Sequence, residues 1–238
     1  MKVYLNNIAV IFLVAISTSA IAKGNGFLDF NAYPHLTDVD SDSVFTLNVA
    51  YKLPSRLSYF SLSNVIDQTD NSNASDDYTY YSEQNLRWQI AKDSPLDLTI
   101  QLNFRSGDNN DRQRIGVRWR LNNTSFLAEF FKSVHLNYSV NWHFVQFDHE
   151  GPNVWQLEHV LSMKFPYISD RLYLAAFADH TFNQDLPTGY PSSPIVAEAQ
   201  LGFRLIDNLF LVTEYRLNQY RRSDVNNLAL GIQYKLPL

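Results

Sequence analysis

Apolar and polar residues alternate along residues 96–105 and again along residues 114–121. The apolar positions are Leu96, Leu98, Ile100, Leu102 and Phe104 in the first segment and Ile115, Val117, Trp119 and Leu121 in the second. Side chains of a β-strand point to opposite faces with a period of two. The pattern therefore predicts two neighbouring strands, each with one apolar and one polar face, joined by the polar residues 107–111.

The same alternation recurs down the chain and predicts twelve strands in all. Besides the two just described, they cover residues 27–33, 44–53, 56–67, 78–91, 134–147, 154–165, 171–183, 195–206, 209–220 and 227–238. The alternation slips near Tyr59 and Phe60, which predicts a β-bulge at that point.

Residues 123–133 follow a different period. Phe126, Leu127, Phe130 and Phe131 recur at helical spacing. This spacing favours a short amphipathic turn on the periplasmic side, and the alternative is an extension of the seventh strand.

Two fold classes are compatible with alternating strands. A soluble sandwich alternates too, but strands that are apolar outward and heavily charged inward are typical of a transmembrane β-barrel. Connections after even strands are mostly short (54–55, 92–95, 166–170, 207–208), whereas those after odd strands are generally longer, such as 68–77 and 184–194. Short periplasmic turns and long outer loops are expected of such barrels. We therefore predict an all-β fold, a 12-stranded antiparallel transmembrane β-barrel of the bacterial outer membrane.

The N-terminal segment has the pattern of an export signal. Lys2 precedes an apolar run over residues 8–16, and Ala20-Ile21-Ala22 forms a small-x-small cleavage site. We predict a cleavable signal peptide over residues 1–22 and one barrel domain over residues 23–238. The alternative, a membrane anchor, is disfavoured because the apolar run is too short to span a bilayer comfortably.

Composition excludes several other functions. The chain has no cysteine, which rules out disulfides and thiolate chemistry. Without Lys2, 18 basic residues stand against 24 acidic ones, a formal charge of −6 that gives no support to nucleic-acid binding. The spaced aspartates in residues 38–42 could open a calcium loop, but Ser43 and Val49 stand where that loop needs glycine and glutamate. We predict a solvated acidic loop, no metal site and no cofactor.

The predicted interior carries the candidate functional residues. Alternation directs arginines inward on the fourth to sixth strands and acids inward on the eighth to eleventh, so that a basic wall faces an acidic wall. The predicted solute path comprises Glu83, Arg87, Arg105, Arg114, Arg118, Arg120, Glu158, Asp179, Glu198, Gln200, Glu214 and Arg216. The two walls either set up a transverse field at a constriction, which would give selectivity, or pair with each other or with interior neighbours and fill the lumen.

Catalysis is the other class of function to weigh. The candidate side chains are His143, Asp148, His149 and Asp179, and none of them lies in a recognisable nucleophile motif. We therefore predict that the protein is not an enzyme. An outer-membrane hydrolase with its site at the rim, or a structural or adhesive barrel acting through its loops, are the alternatives.

Several short stretches resemble a known family. They are Tyr80-Tyr81-Ser82-Glu83, Pro95-Leu96-Asp97-Leu98, Ala176-Phe177-Ala178-Asp179, Ala197-Glu198-Ala199-Gln200 and Thr213-Glu214-Tyr215. Their order is similar to that of the Tsx-like nucleoside-specific channel superfamily, and most similar to its uncharacterised relatives, over residues 78–238. The resemblance implies a monomeric outer-membrane channel for nucleosides or similar small polar solutes. The expected partners are outer-membrane lipid, lipopolysaccharide and the solute.

Overall fold

The computed structural model describes residues 25–34, 43–67, 78–107, 111–148, 151–222 and 225–238. The predicted signal peptide, the acidic loop at residues 38–42, the loop at residues 68–77 and the candidate His149 lie outside these residues.

Twelve antiparallel strands close into one barrel. They are β1 (Gly26–Tyr33), β2 (Ser43–Lys52), β3 (Leu57–Asp67), β4 (Tyr78–Gln89), β5 (Leu96–Arg105), β6 (Arg112–Arg120), β7 (Leu136–Gln146), β8 (Trp155–Phe165), β9 (Ser169–Phe182), β10 (Ile195–Ile206), β11 (Leu209–Asn218) and β12 (Asn226–Pro237). Each strand pairs with its neighbours in sequence, and β1 pairs with β12 to close the ring. The predicted fold class is confirmed, and every strand boundary lies within two residues of the predicted one.

The apolar face of the strands is outside and the polar face is inside. On β5, Leu98 and Ile100 are 43% and 41% exposed, whereas Thr99 and Gln101 between them are 1% and 0% exposed. Residues paired across an antiparallel ladder point to the same face, so the registers carry this assignment from strand to strand. An apolar exterior around a polar interior suits a bilayer and excludes a soluble sandwich.

Strand β3 departs from the general pattern. The predicted bulge at Tyr59 and Phe60 is wrong, because the register of β3 with β2 and β4 is regular throughout. The pairing turns Phe60 inward and places Ser63 on the lipid-facing side. There Ser63 Oγ lies 3.1 Å from Ser82 Oγ of β4, so these hydroxyls find partners in each other and not in lipid. The slip in alternation therefore reflects a local exchange of polar and apolar faces.

The register shifts instead between β6 and β7, where Ile115 pairs with Val145 and Gly116 with His143. Gly116 lies so close to the neighbouring strand that an added Cβ would lie 2.1 Å from the Trp142 carbonyl oxygen. We expect Gly116→Ala to destabilise the barrel by about 1–3 kcal/mol, because the obstacle is backbone.

The control for this prediction is Gly151→Ala. There the added Cβ would have no heavy atom within 4 Å, so a much smaller loss is expected. The measurement is denaturant unfolding of both variants in detergent micelles. An equal loss in the two variants would contradict the backbone explanation.

The connection between β6 and β7 is helical. A 3-10 turn (Leu121–Asn123) leads into helix α1 (Ser125–Ser133). The expectation of a helical segment is confirmed, and an extension of the seventh strand is wrong. Within the described residues, no helix is both long and apolar enough to cross a membrane.

The two ends of the barrel differ. We call the end that carries the start of β1, the end of β12, α1 and the short connections 53–56, 166–168 and 207–208 the turn end, and the opposite end the loop end. Short turns are periplasmic in barrels of this class. Epitope tags inserted at residues 70–76 or 185–193 are therefore expected to be labelled on intact cells. Labelling only after the outer membrane is permeabilised would reverse this orientation.

Candidate functional site

All twelve side chains of the predicted solute path stand at inward-facing positions of the strands. Glu83, Arg87, Arg114, Glu158 and Glu214 are buried. The others are half-buried: Arg105, Arg118, Arg120, Asp179, Glu198, Gln200 and Arg216. A half-buried side chain that points into a barrel borders accessible space inside it. The lumen is therefore partly filled by side chains and partly open, and the role of these residues in solute passage stays a prediction.

Arg114 is the most deeply placed of these cations, at 2% exposed. Its Nη1 donates hydrogen bonds to Gln156 Oε1 at 2.6 Å and to Gln101 Oε1 at 3.1 Å. Both acceptors are neutral amides, and among the described residues no carboxylate forms an ion pair with Arg114. The guanidinium is held firmly in the middle of the wall while its charge is left uncompensated by a direct partner.

The neighbouring carboxylates are held in the same manner. Glu83 accepts hydrogen bonds from Asn85 Nδ2 at 2.6 Å and from the Tyr81 hydroxyl at 2.9 Å. Glu158 accepts one from Asn141 Nδ2 at 2.5 Å. Charge-assisted bonds from neutral donors position a carboxylate without cancelling its field. Fixed charges of both signs therefore face one another in the central part of the barrel.

Ion pairs in the described lumen join close neighbours. Asp97, which is 1% exposed, bonds Arg118 Nη2 at 2.5 Å and Arg120 Nη2 at 3.2 Å across the β5–β6 ladder. Arg216 bonds Glu214, two residues away on β11, at 2.6 Å. The expectation that the basic and acidic walls pair across the lumen is wrong for the described residues, since the registers offer nearer partners. Pairing with interior neighbours is what the structure contains.

The solute path predicted from the sequence does not include Asp97. The signal was present, because Asp97 alternates with Leu96 and Leu98 and so belongs to the inward face. The prediction treated the fourth to sixth strands as a basic wall and therefore left out this acidic residue. Its carboxylate offsets one of the two positive charges of Arg118 and Arg120. Among the described residues, the arginines of this wall that form no ion pair are Arg87, Arg105 and Arg114.

A second polar network lies where β1 and β12 close the barrel. The Tyr33 hydroxyl donates to Glu214 Oε2 at 2.6 Å. The Tyr173 hydroxyl donates to Gln233 Oε1 at 2.6 Å, and Gln233 Nε2 donates to Asp29 Oδ2 at 2.9 Å. These bonds join β9, β11 and β12 to β1 inside the lumen and narrow it on that side.

The turn end opens into a cavity of about 700 Å³. Lys164, Arg204 and Lys235 contribute cationic side chains to its lining from inward positions, and Tyr173 forms part of the wall. Arg204 bonds Asp170 at 3.0 Å, in a pair that is largely exposed. This mouth of the barrel is therefore accessible and basic.

Apolar side chains also face the lumen. Phe60 on β3 lies beneath the guanidinium of Arg87, 5.7 Å from its ring centroid. Val160 on β8 pairs with Phe177 on β9, and Phe177 pairs with the inward-facing Glu198 on β10. Val160 and Phe177 therefore face the lumen. Strands β3 and β9 are six apart in a ring of twelve, so apolar surface is available on opposite walls. In the sequence, Phe60 is visible only as a slip in the alternation.

The three candidate catalytic side chains that the structure describes, His143, Asp148 and Asp179, do not form a catalytic site. His143 Nε2 lies 3.4 Å from Glu158 Oε2, while its Nδ1 has no hydrogen-bond partner among the described residues. Asp148 lies at the loop end, where it accepts the backbone N–H of Gln113 at 2.7 Å. Asp179 pairs in register with Glu158. A histidine and a carboxylate in contact are two parts of a hydrolytic triad, and the described residues place no hydroxyl nucleophile against this histidine.

Comparison with known proteins supports the fold. A KdgM porin is similar with a TM-score of 0.52 and 13% identity, covering 87% of this chain and 98% of that one. A NanC porin is similar with a TM-score of 0.50 and 13% identity, covering 90% of this chain and 100% of that one. The chain therefore shares the 12-stranded barrel fold of these outer-membrane porins. Together with the apolar exterior, this fold places the protein in the bacterial outer membrane.

A KdgM porin in complex with disordered oligogalacturonate matches with a TM-score of 0.50 and 13% identity, covering 87% of this chain and 98% of that one. No family model matches the chain. No curated protein matches it either. The resemblance to Tsx-like channels therefore stays a prediction.

Proposed function

We propose that this protein is a monomeric channel that passes small polar solutes through the outer membrane, embedded in lipid and lipopolysaccharide. The observation that carries the proposal is the half-buried state of inward charged side chains such as Arg105, Asp179 and Glu198. A lumen packed solid would bury them completely. The cavity at the turn end gives this interior an opening.

Polar atoms without protein partners support the same proposal. Among the described residues, Arg105 Nε, Gln101 Nε2, Asn141 Oδ1 and Asp179 Oδ1 have none. Buried polar groups in native proteins nearly always have a hydrogen-bond partner, either protein or water. Ordered water held within the lumen would supply those partners.

The resemblance to Tsx-like channels makes nucleosides our first proposal for the solute. A nucleobase has two apolar faces and a polar edge. Phe60 and Phe177 offer apolar surface to its faces, and the amides and guanidiniums around them offer hydrogen bonds to its edge.

Acidic sugars are the second candidate, favoured by Arg87, Arg105 and Arg114, which form no ion pair among the described residues, and by the basic turn-end mouth. The oligogalacturonate in the KdgM complex belongs to this class. A field of fixed cations attracts carboxylates into a pore.

The test is conductance of the refolded protein in a planar bilayer. We expect discrete openings, and partial block when nucleosides are added if they bind in the lumen. Block by galacturonate oligomers without block by nucleosides would transfer the assignment to acidic sugars. Absence of openings above the lipid background would contradict the channel itself.

Ion selectivity provides a further prediction. Arg105→Gln is expected to shift the reversal potential toward cations, because it removes a charge that no described carboxylate neutralises. Glu198→Gln is expected to shift it toward anions. Arg118→Gln leaves Asp97 paired with Arg120 and removes one positive charge from that cluster of two arginines and one aspartate, so a shift toward cations is expected there as well. Identical shifts for Arg105→Gln and Glu198→Gln would contradict a field set by these groups.

A further inference from the structure

Helix α1 has apolar surface that the barrel leaves uncovered. Phe126 and Phe130 are 79% and 60% exposed, whereas Phe131 on the same helix is 7% exposed. One aromatic side chain is therefore packed against the protein while two others point away from it. Two exposed phenylalanines so close together form an apolar patch, and such patches mark surfaces that contact a membrane or another protein.

Two contacts hold α1 against the outer wall of the barrel. The Phe131 ring centroid lies 6.3 Å from that of Tyr138, a lipid-facing residue of β7. The indole N–H of Trp119, which is 40% exposed on the lipid-facing side of β6, donates to Thr124 Oγ1 at 2.8 Å just before the helix begins. The helix is thus attached to the lipid-facing side of β6 and β7 at the turn end, while Ala128, Phe131 and Lys132 on one of its sides border the turn-end cavity.

The side chains of α1 point in three directions. At roughly 100° per residue, Phe126 and Phe130 lie about 40° apart, and Phe131 lies about 100° beyond Phe130. Glu129 and Lys132, both exposed, occupy the remaining arc. One direction meets the barrel wall, one is apolar and one is charged. This division is typical of a helix that lies in a membrane interface.

The neighbouring connections point to the same partner. Tyr167 and Ile168 between β8 and β9 are 89% and 76% exposed, and Ile206 beside the β10–β11 turn is 68% exposed. These side chains are spread along the rim at the turn end, and they continue the lipid-facing belt that includes Trp119 and Tyr138. A membrane surface reaches all of them at once.

We propose that α1 lies in the phospholipid leaflet at the turn end, with Phe126 and Phe130 inserted at the boundary between headgroups and acyl chains. Glu129 and Lys132 face water, and Phe131 fixes the helix to the wall. The helix thereby anchors the rim of the barrel in the interface. This role is independent of what the lumen carries.

The absence of cysteine from the sequence makes single-site labelling direct. Nitroxide labels are placed on F126C, F130C, E129C and K132C, and the protein is reconstituted in phosphatidylcholine vesicles. For the first two labels we expect collisions with oxygen to exceed those with an aqueous nickel chelate. For the labels at the charged positions, which are the matched controls on the same helix, the ratio should shift toward the chelate.

A second measurement keeps the labelled site away from the phenylalanines. A label on S133C is followed with and without the double substitution Phe126→Gln, Phe130→Gln, which is expected to shift that label toward water. Equal chelate access at all four positions of the first experiment would overturn the proposal. Shielding of F126C and F130C from both reagents, with spin–spin broadening that grows with the protein-to-lipid ratio, would assign the face to a second copy and overturn it as well.

Discussion

Ile232→Arg is expected to lower the free energy of unfolding by about 2–4 kcal/mol, the cost of an arginine on the lipid face of a barrel near the bilayer midplane. Ile232 lies near the middle of β12 and is 54% exposed on the outer surface. It pairs with Ala32 and Leu211, which are also lipid-facing. No described acid flanks it on this face, so the new charge would find hydrocarbon and no partner.

The measurement is reversible denaturant unfolding in phospholipid vesicles. Ile232→Leu is the matched control and should cost less than about 1.5 kcal/mol, as expected of a swap that conserves volume and polarity. Unboiled wild-type protein should also migrate differently from boiled protein on a gel. A variant Ile232→Arg as stable as Ile232→Leu, or a mature protein that stays monomeric in water without detergent, would contradict the lipid-facing assignment.

The strands were predictable because contact with lipid requires apolar side chains on the outer face of each strand. On β12, Leu228, Leu230, Ile232, Tyr234 and Leu236 are all exposed to the exterior, and a period of two in the sequence records this directly. Loop lengths then fixed the alternation of turns and longer connections. Such local signals locate strands and the faces of most of them without knowledge of which strands pair.

Strand β3 shows the limit of that rule. Ser63 is tolerated on the outside because Ser82 of β4 lies opposite it, and Gln84 Nε2 bonds Ser82 Oγ at 2.8 Å. The partners come from another strand, so the sequence of β3 alone reads as an irregularity. The same holds for α1, whose spacing predicts a helix but not the side of the wall on which it packs.

The sequence predicts which side chains face the lumen, but it does not predict which of them bond to one another. Alternation identified the inward side chains, including Arg118 and Glu214. Their partners depend on register: Asp97 stands opposite Arg118 because β5 and β6 pair in that frame. A shift of two residues would preserve every face and change every ion pair that joins two strands. Charge compensation within the lumen is therefore a property of the closed barrel.

Asp97→Asn is expected to destabilise the barrel by about 3 kcal/mol, at the low end of the cost of removing one partner from a buried ion pair. Asp97 is the shared partner of two arginines, and its side chain is 2% exposed. The arginine side chains are 18% and 21% exposed to the lumen, so water screens part of their repulsion and keeps the cost from rising further. The carboxylate and the amide have nearly the same shape, so packing is preserved.

The matched control is Asp170→Asn, which removes the acid from the exposed pair with Arg204, where the side chains are 81% and 39% exposed. An exposed pair is worth less than about 1 kcal/mol, so this variant should unfold almost as the parent does.

Reversal potentials measured on the same samples add an independent readout. Asp97→Asn should make the pore more selective for anions, because Arg118 and Arg120 lose the carboxylate that offsets one of their two positive charges. A stability loss without a change in selectivity would mean that these arginines border no conducting space. Equal stability of the two variants would mean that the Asp97 cluster is fully hydrated, and the lumen at that level would then be wider than its close contacts indicate.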